Sequence, residues 1–176
     1  MPRPAPSAPS TAAPRSPRGA SKGPDGSACT WYDTPGQAGR GHWIFDRPFS
    51  EPLRQTLIAA AAQTGAPVVP RGVYGHVDGP RFNSRAEIAA LAAAGVTAVS
   101  QTAGPEAVLA GEAELPLALV GFVTDFANGV APEPEPVEAL LARMAAGKDT
   151  FAQLVGHAVA GLEAVAPAGF VHRFGS

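Results

Sequence analysis

Polar and aromatic side chains concentrate in three short stretches, each of which follows an apolar run. The first contains His-Val-Asp-Gly-Pro-Arg-Phe-Asn, the second Ser-Gln-Thr before Gly-Pro-Glu, and the third Thr-Asp before Asn-Gly. We call residues 76–84, 100–106 and 124–129 the first, second and third junctions. Together they offer an aromatic ring, hydroxyl groups beside a helix N-terminus, and a carboxylate. This set predicts a site for a flat ring, with an acid at its edge and an anion-binding floor.

Each candidate residue also has a purely structural explanation. Phe82 either stacks on a flat ligand or packs into the core, and Asn83 either begins a helix or hydrogen-bonds a heterocycle. Thr102 either caps a helix or helps to hold an anion. Asp125 either caps the following loop or faces a ligand, because a carboxylate after an apolar run needs a partner.

The elements that must position the junctions alternate between helix and strand. Ser50, Pro52 and Gly65 predict the start and end of a helix. Ser84 and Glu87 predict a capping box for the next helix, which Gly95 ends. The predicted strands are 72–77, 96–102 and 115–125; the third helix opens at 104–106, 131–136 is a linker, and one long or two consecutive helices span 137–165. This order predicts an α/β fold, in which ligands bind at the carboxyl ends of the strands.

Composition excludes several classes of protein. The chain has 176 residues, 45% of them apolar, and a net charge of −2, so it lacks the basic surface that nucleic acid requires. No apolar run reaches the roughly 20 residues of a membrane span. A single cysteine, Cys29, fits a reducing cytoplasm, and the absence of a Cys or acid cluster predicts no metal site.

The beginning of the chain differs from the rest. Residues 1–28 are rich in Pro, Ser and Arg and contain no large apolar residue, so we expect a disordered tail. No apolar core of a secretory signal is present in it. The expected organisation is therefore a tail at 1–28, one domain at 29–168 and a C-terminal tail at 169–176.

From about residue 30 to 165, the sequence resembles the C-terminal half of the trimeric purine nucleoside phosphorylases. The Gly-Pro-Arg-Phe block at 79–82, the block at 102–106 and the Thr-Asp pair at 124–125 occur in the order and spacing of that family. The methylthioadenosine phosphorylase branch is the most similar. The resemblance implies a three-layer nucleoside phosphorylase-like fold, here truncated at the N-terminus. It also implies phosphorolysis of purine nucleosides, with inorganic phosphate as co-substrate and no cofactor.

The resemblance also assigns roles to individual residues. Asp125 becomes the acid that hydrogen-bonds the leaving purine. Thr102 touches phosphate and sugar, and Gln101 lies along the ribose. The residues that contact the base are Phe82, Asn83 and Val77. His42 matches a histidine that reaches the 5′ end of the nucleoside in a neighbouring subunit, which implies a homotrimer.

Departures from the family pattern keep alternatives open. Ala127 stands where the adenine-specific branch has a second acid, while Asp125 itself favours 6-aminopurines, so base specificity is undecided. Gln101 replaces a usual methionine. The family's Gly-rich phosphate loop and Arg-His pair have no counterpart in residues 1–28, which indicates a misassigned start, a frameshift or a degraded gene. The alternatives are a nucleosidase that uses water, and a catalytically inactive purine-binding or subunit-interaction protein.

Overall fold

The computed structural model describes residues 30–32 and 41–174. The tail expected at 1–28 lies outside the described residues. Within these described ranges, four helices and four strands follow one another. They are β1 (Gly41–Phe45), α1 (Glu51–Thr64), β2 (Tyr74–His76), α2 (Arg85–Ala93), β3 (Ala98–Ser100), α3 (Ala103–Glu112), α4 (Val137–Ala160) and β4 (Gly169–Arg173).

The helix boundaries follow the capping signals of the sequence. Ser50 accepts a hydrogen bond from the Leu53 N–H at the start of α1, and Gly65 ends that helix with a φ of 70°. Ser84 and Glu87 form the predicted capping box of α2. α4 is one continuous helix, but it stops at Ala160 rather than at 165. Gly161 and the later Pro167 disfavour further helix at that point.

The strands form two small sheets rather than the single sheet expected. β2 and β3 are parallel, with Tyr74 opposite Ala98 and His76 opposite Ser100. β1 and β4 form an antiparallel pair, in which His42 lies opposite His172. The segment expected to be a C-terminal tail from residue 169 thus contains β4, because the edge of β1 offers it a backbone partner.

The predicted strand over 115–125 is the main difference in secondary structure. This run forms no helix and belongs to no sheet of the described residues. Its one backbone hydrogen bond to a distant element is from the Ser50 N–H to the Leu117 carbonyl. An apolar run becomes a strand only where another strand pairs with it, and no described strand does so.

The core lies between α1 and α4. Ala60 and Ala61 of α1 are buried against Leu154 and Ala158 of α4, with Leu57 and Val120 at the edge of this cluster. A second contact places the β1–β4 pair against the C-terminal end of α3, where the Trp43 ring lies on Gly111. No helix of the described part of the chain is long and apolar enough to cross a membrane.

Candidate functional site

The first and second junctions lie side by side because β2 and β3 are parallel. Their carboxyl ends, His76 and Ser100, are paired residues of the sheet, and the Val77 N–H continues the pairing by donating to the Ser100 carbonyl at 3.1 Å. The Gln101 side-chain amide donates to the Arg81 carbonyl at 2.9 Å. This arrangement matches the prediction that the ends of the two strands form one edge.

An ion pair fixes the turn of the first junction. The Arg81 guanidinium donates two hydrogen bonds to the Glu87 carboxylate, at 2.9 and 2.6 Å. Hydrogen bonding to Arg81, followed by hydrogen bonds from Ser84, lowers the pKa of Glu87 to about 2. Phe82 therefore sits on a turn that is tied to α2 on its C-terminal side, and its own side chain is 82% exposed. Packing of Phe82 into the core is excluded within the described structure.

The second junction contains a chain of hydroxyl groups at the start of α3. The Ser100 hydroxyl lies 2.8 Å from the Tyr74 hydroxyl and 3.2 Å from the Thr102 hydroxyl. The Ala103 N–H, the first of α3, donates to the Tyr74 hydroxyl at 3.2 Å. Thr102 makes no side-chain cap hydrogen bond. Its hydroxyl therefore lies at the positive end of the helix without serving as its cap, which suits an anion.

His76 lies beneath this junction. Its side chain is 8% exposed, and its Nε2 is 3.6 Å from an Asp78 carboxylate oxygen. Its Nδ1 is buried without a hydrogen-bond partner. The ring also occupies the space next to Gly104, where an added Cβ would come within 2.4 Å of His76 Cγ. His76 is thus a packed residue under the start of α3.

The third junction contacts the first through its backbone and side chains. The Asn128 amide donates to the Asn83 carbonyl at 2.8 Å, and Gly129, with a φ of 85°, lies against the Arg85 side chain. Asp125 is exposed, and its recorded partner is the Thr124 hydroxyl at 2.7 Å. The carboxylate is therefore accessible from solvent, and the Asn128 bond holds the end of its junction against the first junction.

Two expectations about the site need qualification. His42 lies on β1 beside Trp43, which packs on Gly111 near the end of α3, whereas Thr102 precedes the start of that helix. Gly111 and Thr102 are about 13.5 Å apart along the helix at 1.5 Å per residue, so His42 lies away from the second junction of its own chain. Two cavities of the described structure, of about 360 and 350 Å³, are not lined by Phe82, Thr102 or Asp125.

Sequence reasoning missed Tyr74 and Asn128 as organising residues. Tyr74 is two residues before His76 on the same strand, so alternation along β2 could have placed both on the α3 side. Nothing local in the sequence indicates the long-range bond of Asn128 to residue 83. No group of three or more His, Cys, Asp or Glu side chains that could hold a metal ion occurs among residues 30–32 and 41–174.

A parallel pair of strands with its junctions at one edge of a helix-flanked fold defines an α/β ligand-binding domain. The family model of the phosphorylase superfamily matches residues 20–160, and the chain belongs to this family. Its fold is the nucleoside phosphorylase fold. The predicted resemblance is therefore confirmed.

The match to each individual relative covers only part of that relative's length. A probable 6-oxopurine nucleoside phosphorylase of Moorella thermoacetica is 34% identical over 72% of this chain and 49% of its own. The S-methyl-5′-thioadenosine phosphorylase of Chloroflexus aurantiacus is 36% identical over 69% of this chain and 43% of its own. The methylthioadenosine phosphorylase of Schistosoma mansoni in complex with adenine superposes with a TM-score of 0.71 at 29% identity, covering 79% of this chain and 56% of that one. The chain spans about half the length of these relatives, or less.

Proposed function

We propose that this chain carries the base-binding side of a purine nucleoside phosphorylase. The reaction is phosphorolysis of the N-glycosidic bond, which yields the free purine and a ribose 1-phosphate. 5′-Methylthioadenosine, which would yield methylthioribose 1-phosphate, is the candidate nucleoside. The observation that carries the proposal is the connection of all three junctions, through the bonds from Gln101 to Arg81 and from Asn128 to Asn83.

The proposed roles follow from the charges that develop during the reaction. Bond cleavage places negative charge on the departing purine and positive charge on the ribose. Asp125 hydrogen-bonds the purine and acts as the acid towards the leaving base, and Phe82 and Val77 form the wall against which the base stacks. The Thr102 hydroxyl at the α3 N-terminus contacts phosphate beneath the sugar. Asn83 lies beside the base and Gln101 along the ribose.

The identity of the base is part of the proposal. Asp125 favours a 6-aminopurine, since a carboxylate accepts hydrogen bonds from an exocyclic amino group. Ala127 provides no second acid. Relatives of similar identity are named for 6-oxopurine nucleosides and for methylthioadenosine. We propose that methylthioadenosine is a better substrate than inosine.

The proposed assembly is a cytoplasmic homotrimer. His42 lies on the exposed β1–β4 pair and away from the second junction of its own chain. A histidine in that position can contribute to a nucleoside site only in a neighbouring subunit. The single cysteine of the chain fits a reducing compartment.

A second candidate function has its own support. The ring of Phe82 and the carboxylate of Asp125 are both exposed, whereas catalysis of this kind needs a site that excludes water. This exposure favours a purine-binding protein that does not turn over nucleosides by itself.

The deciding experiment measures purine release from methylthioadenosine and from inosine, each with and without phosphate. Phosphate-dependent release that falls about a hundredfold in Asp125→Ala supports the phosphorylase, because removing a catalytic acid costs 10²–10⁴-fold. Asp149→Ala, which removes an exposed acid of α4, is the matched control. Release without phosphate indicates a nucleosidase. If adenine binds but no purine is released from either nucleoside, and binding is lost in Asp125→Ala but kept in Asp149→Ala, the chain is a purine-binding protein.

A further inference from the structure

Among the residues that the structure describes, His76 is the one with a buried side-chain nitrogen or oxygen that makes no hydrogen bond. Its side chain is 8% exposed, and the atom without a partner is Nδ1. Leaving a buried polar atom unpaired costs free energy, so such an atom often marks the place of a water, an ion or a functional group. The contacts proposed for purine, ribose and phosphate do not use this histidine.

The His76 ring lies against the first turn of α3. A Cβ added to Gly104 would come within 2.4 Å of His76 Cγ and 2.8 Å of Nδ1, so the ring touches the helix backbone at this glycine. In the same turn, the Ala103 N–H donates to the Tyr74 hydroxyl at 3.2 Å. His76 is therefore packed at the positive end of the α3 dipole.

The hydroxyl groups of the second junction lie at the same helix end. The Ser100 and Thr102 hydroxyls are 3.2 Å apart, and Thr102 is exposed and makes no side-chain cap bond. Thr102 immediately precedes the turn that contains Gly104. An anion that contacts the Thr102 hydroxyl therefore approaches the same turn of α3 against which the His76 ring packs.

The elements around the His76 ring contribute few charges. Their charged or titratable groups are Asp78 and Arg81 of the first junction, Glu87 of α2, Tyr74 of β2, and Glu106 and Glu112 of α3, and β3 has none. Arg81 and Glu87 pair with each other. An Asp78 carboxylate oxygen is 3.6 Å from Nε2, but that side chain is 95% exposed, so water screens its charge. Glu106 is exposed as well, and a bound anion would be a new opposite charge for this ring.

Protonation of a histidine and binding of an anion nearby favour each other. The imidazole ring changes its charge near neutral pH. A negative charge close to the ring favours its protonated form, and burial strengthens this attraction by keeping water away. By thermodynamic linkage, the protonated ring favours the anion to the same extent. The two events at the start of α3 are therefore coupled.

We propose that His76 completes an anion site at the start of α3: when phosphate or a similar tetrahedral dianion binds beside Thr102, His76 takes up one proton from solvent at Nδ1. The proton supplies a positive charge that the hydroxyl groups of the site lack. The inference rests on the phosphate contact of Thr102 in the proposed function, but it does not require turnover. It assigns to His76 the pH dependence of phosphate binding.

The first test counts the protons that the full chain takes up when it binds sulfate. Sulfate keeps its two charges near neutral pH, whereas phosphate changes its own, so a proton taken up with sulfate enters the protein. Calorimetric titration in buffers of different ionisation enthalpy should show uptake of a fraction of one proton at about pH 7. The affinity should be about tenfold higher at about pH 6 than at about pH 8. Binding without proton uptake, or no binding of sulfate or phosphate, would overturn the proposal.

Three variants locate the anion and the proton. His76→Gln removes the titrating ring, so sulfate should bind without proton uptake and its affinity should no longer rise at low pH. His157→Gln, which removes an exposed histidine of α4, should keep the uptake of the unmodified chain. Thr102→Ala should weaken sulfate binding by about tenfold. Uptake that persists in His76→Gln, or unchanged affinity in Thr102→Ala, would refute the proposal.

An NMR measurement on the unmodified chain does not depend on whether His76→Gln folds. At about pH 7, added sulfate should move the ring signals of His76 towards those of an imidazolium and leave those of His157 in place. Ring signals of His76 that do not move while sulfate binds would contradict the inference.

Purine release separates this inference from the proposed function. Phosphate-dependent release without proton uptake would refute the role of His76 and leave the phosphorylase standing. Proton-linked sulfate binding in a chain that releases no purine would support the role of His76 and refute the phosphorylase.

Discussion

The first two junctions and the third are held in different ways. In the first two, polar side chains bond mainly to the protein itself: Arg81 to Glu87, Gln101 to the Arg81 carbonyl, and Tyr74 to the start of α3. In the third, the Asp125 carboxylate contacts only its neighbour Thr124 among the hydrogen bonds of the described residues. The first and second junctions together form what we call the rigid frame, and the third junction presents the carboxylate of Asp125 as a free functional group.

This difference separates structural from functional polar residues. Groups that already bond within the protein contribute to stability and to the placement of others, and substitution there should be detected by unfolding. An exposed acid contributes little to stability. If Asp125 serves a ligand, its substitution should be detected by binding and not by unfolding.

The largest expected effect comes from Gly104→Ala in the rigid frame. The added methyl would lie 2.4 Å from His76 Cγ, so we expect the free energy of unfolding in urea to fall by about 1–3 kcal/mol. Gly156→Ala in α4 is the matched control, because nothing lies within 4 Å of its added methyl. The control should gain about 0.5–1 kcal/mol from helix propensity. Equal changes in both would show that His76 moves aside freely.

Asp125→Asn replaces the exposed carboxylate of the third junction with a neutral amide of similar size. We expect adenine affinity to fall by about tenfold, since a hydrogen bond to a charged group contributes about 1.5–3 kcal/mol. The unfolding free energy should change by less than about 0.5 kcal/mol, as for other exposed positions. Calorimetric titration and urea unfolding measure the two quantities. A stability loss comparable to that of Gly104→Ala would assign Asp125 a structural role instead.

Ser84→Ala and Thr102→Ala compare the residues that precede α2 and α3. Ser84 accepts the N-terminal bond of α2 from Glu87, whereas Thr102 makes no cap bond. We expect Ser84→Ala to lower the unfolding free energy by about 1 kcal/mol. Thr102→Ala should cost less in stability. The reverse order would mean that the Ser100 and Thr102 hydroxyl contact stabilises the fold more than the capping box does.

The smallest effect concerns the exposed ion pair of the first junction. The pKa of Glu87 lies at about 2, below the ordinary 4.5, chiefly because of Arg81. A lowered pKa in the folded state means that the stabilisation is present above about 4.5 and is lost as the pH falls towards about 2. Arg81→Gln should raise the pKa of Glu87 in an NMR titration, while the hydrogen bonds from Ser84 keep it below 4.5. An unchanged pKa would show that Arg81 is not the main cause.

Local signals predicted the helices well. Ser50, Gly65 and the Ser84–Glu87 box act within one helical turn, so their effect is visible in the sequence. The edge formed by the first two junctions followed from the strand order. By contrast, the predicted strand at 115–125 failed because a strand depends on a distant partner that periodicity does not reveal.

The detailed arrangement of the candidate site could not be predicted from the sequence either. The exposure of Phe82 could not be predicted, because Gly-Pro turns present a side chain either inward or outward. The bond from Asn128 to the carbonyl of residue 83 joins positions 45 residues apart. The roles of Phe82, Asn83, Gln101, Thr102, Val77 and His42 stay predictions that ligand binding must test.

Tyr74 limits how this chain can diverge during evolution. Its hydroxyl meets both Ser100 and the first N–H of α3, so one side chain links β2, β3 and α3. A phenylalanine at 74 would leave that N–H without its partner, and a compensating cap would have to arise at 102, where the threonine now faces Ser100. Loss of the Tyr74 hydroxyl would then require a second substitution, at 102, to keep the start of α3 satisfied. We therefore expect descendants of this gene to retain Tyr74 for as long as they retain the fold.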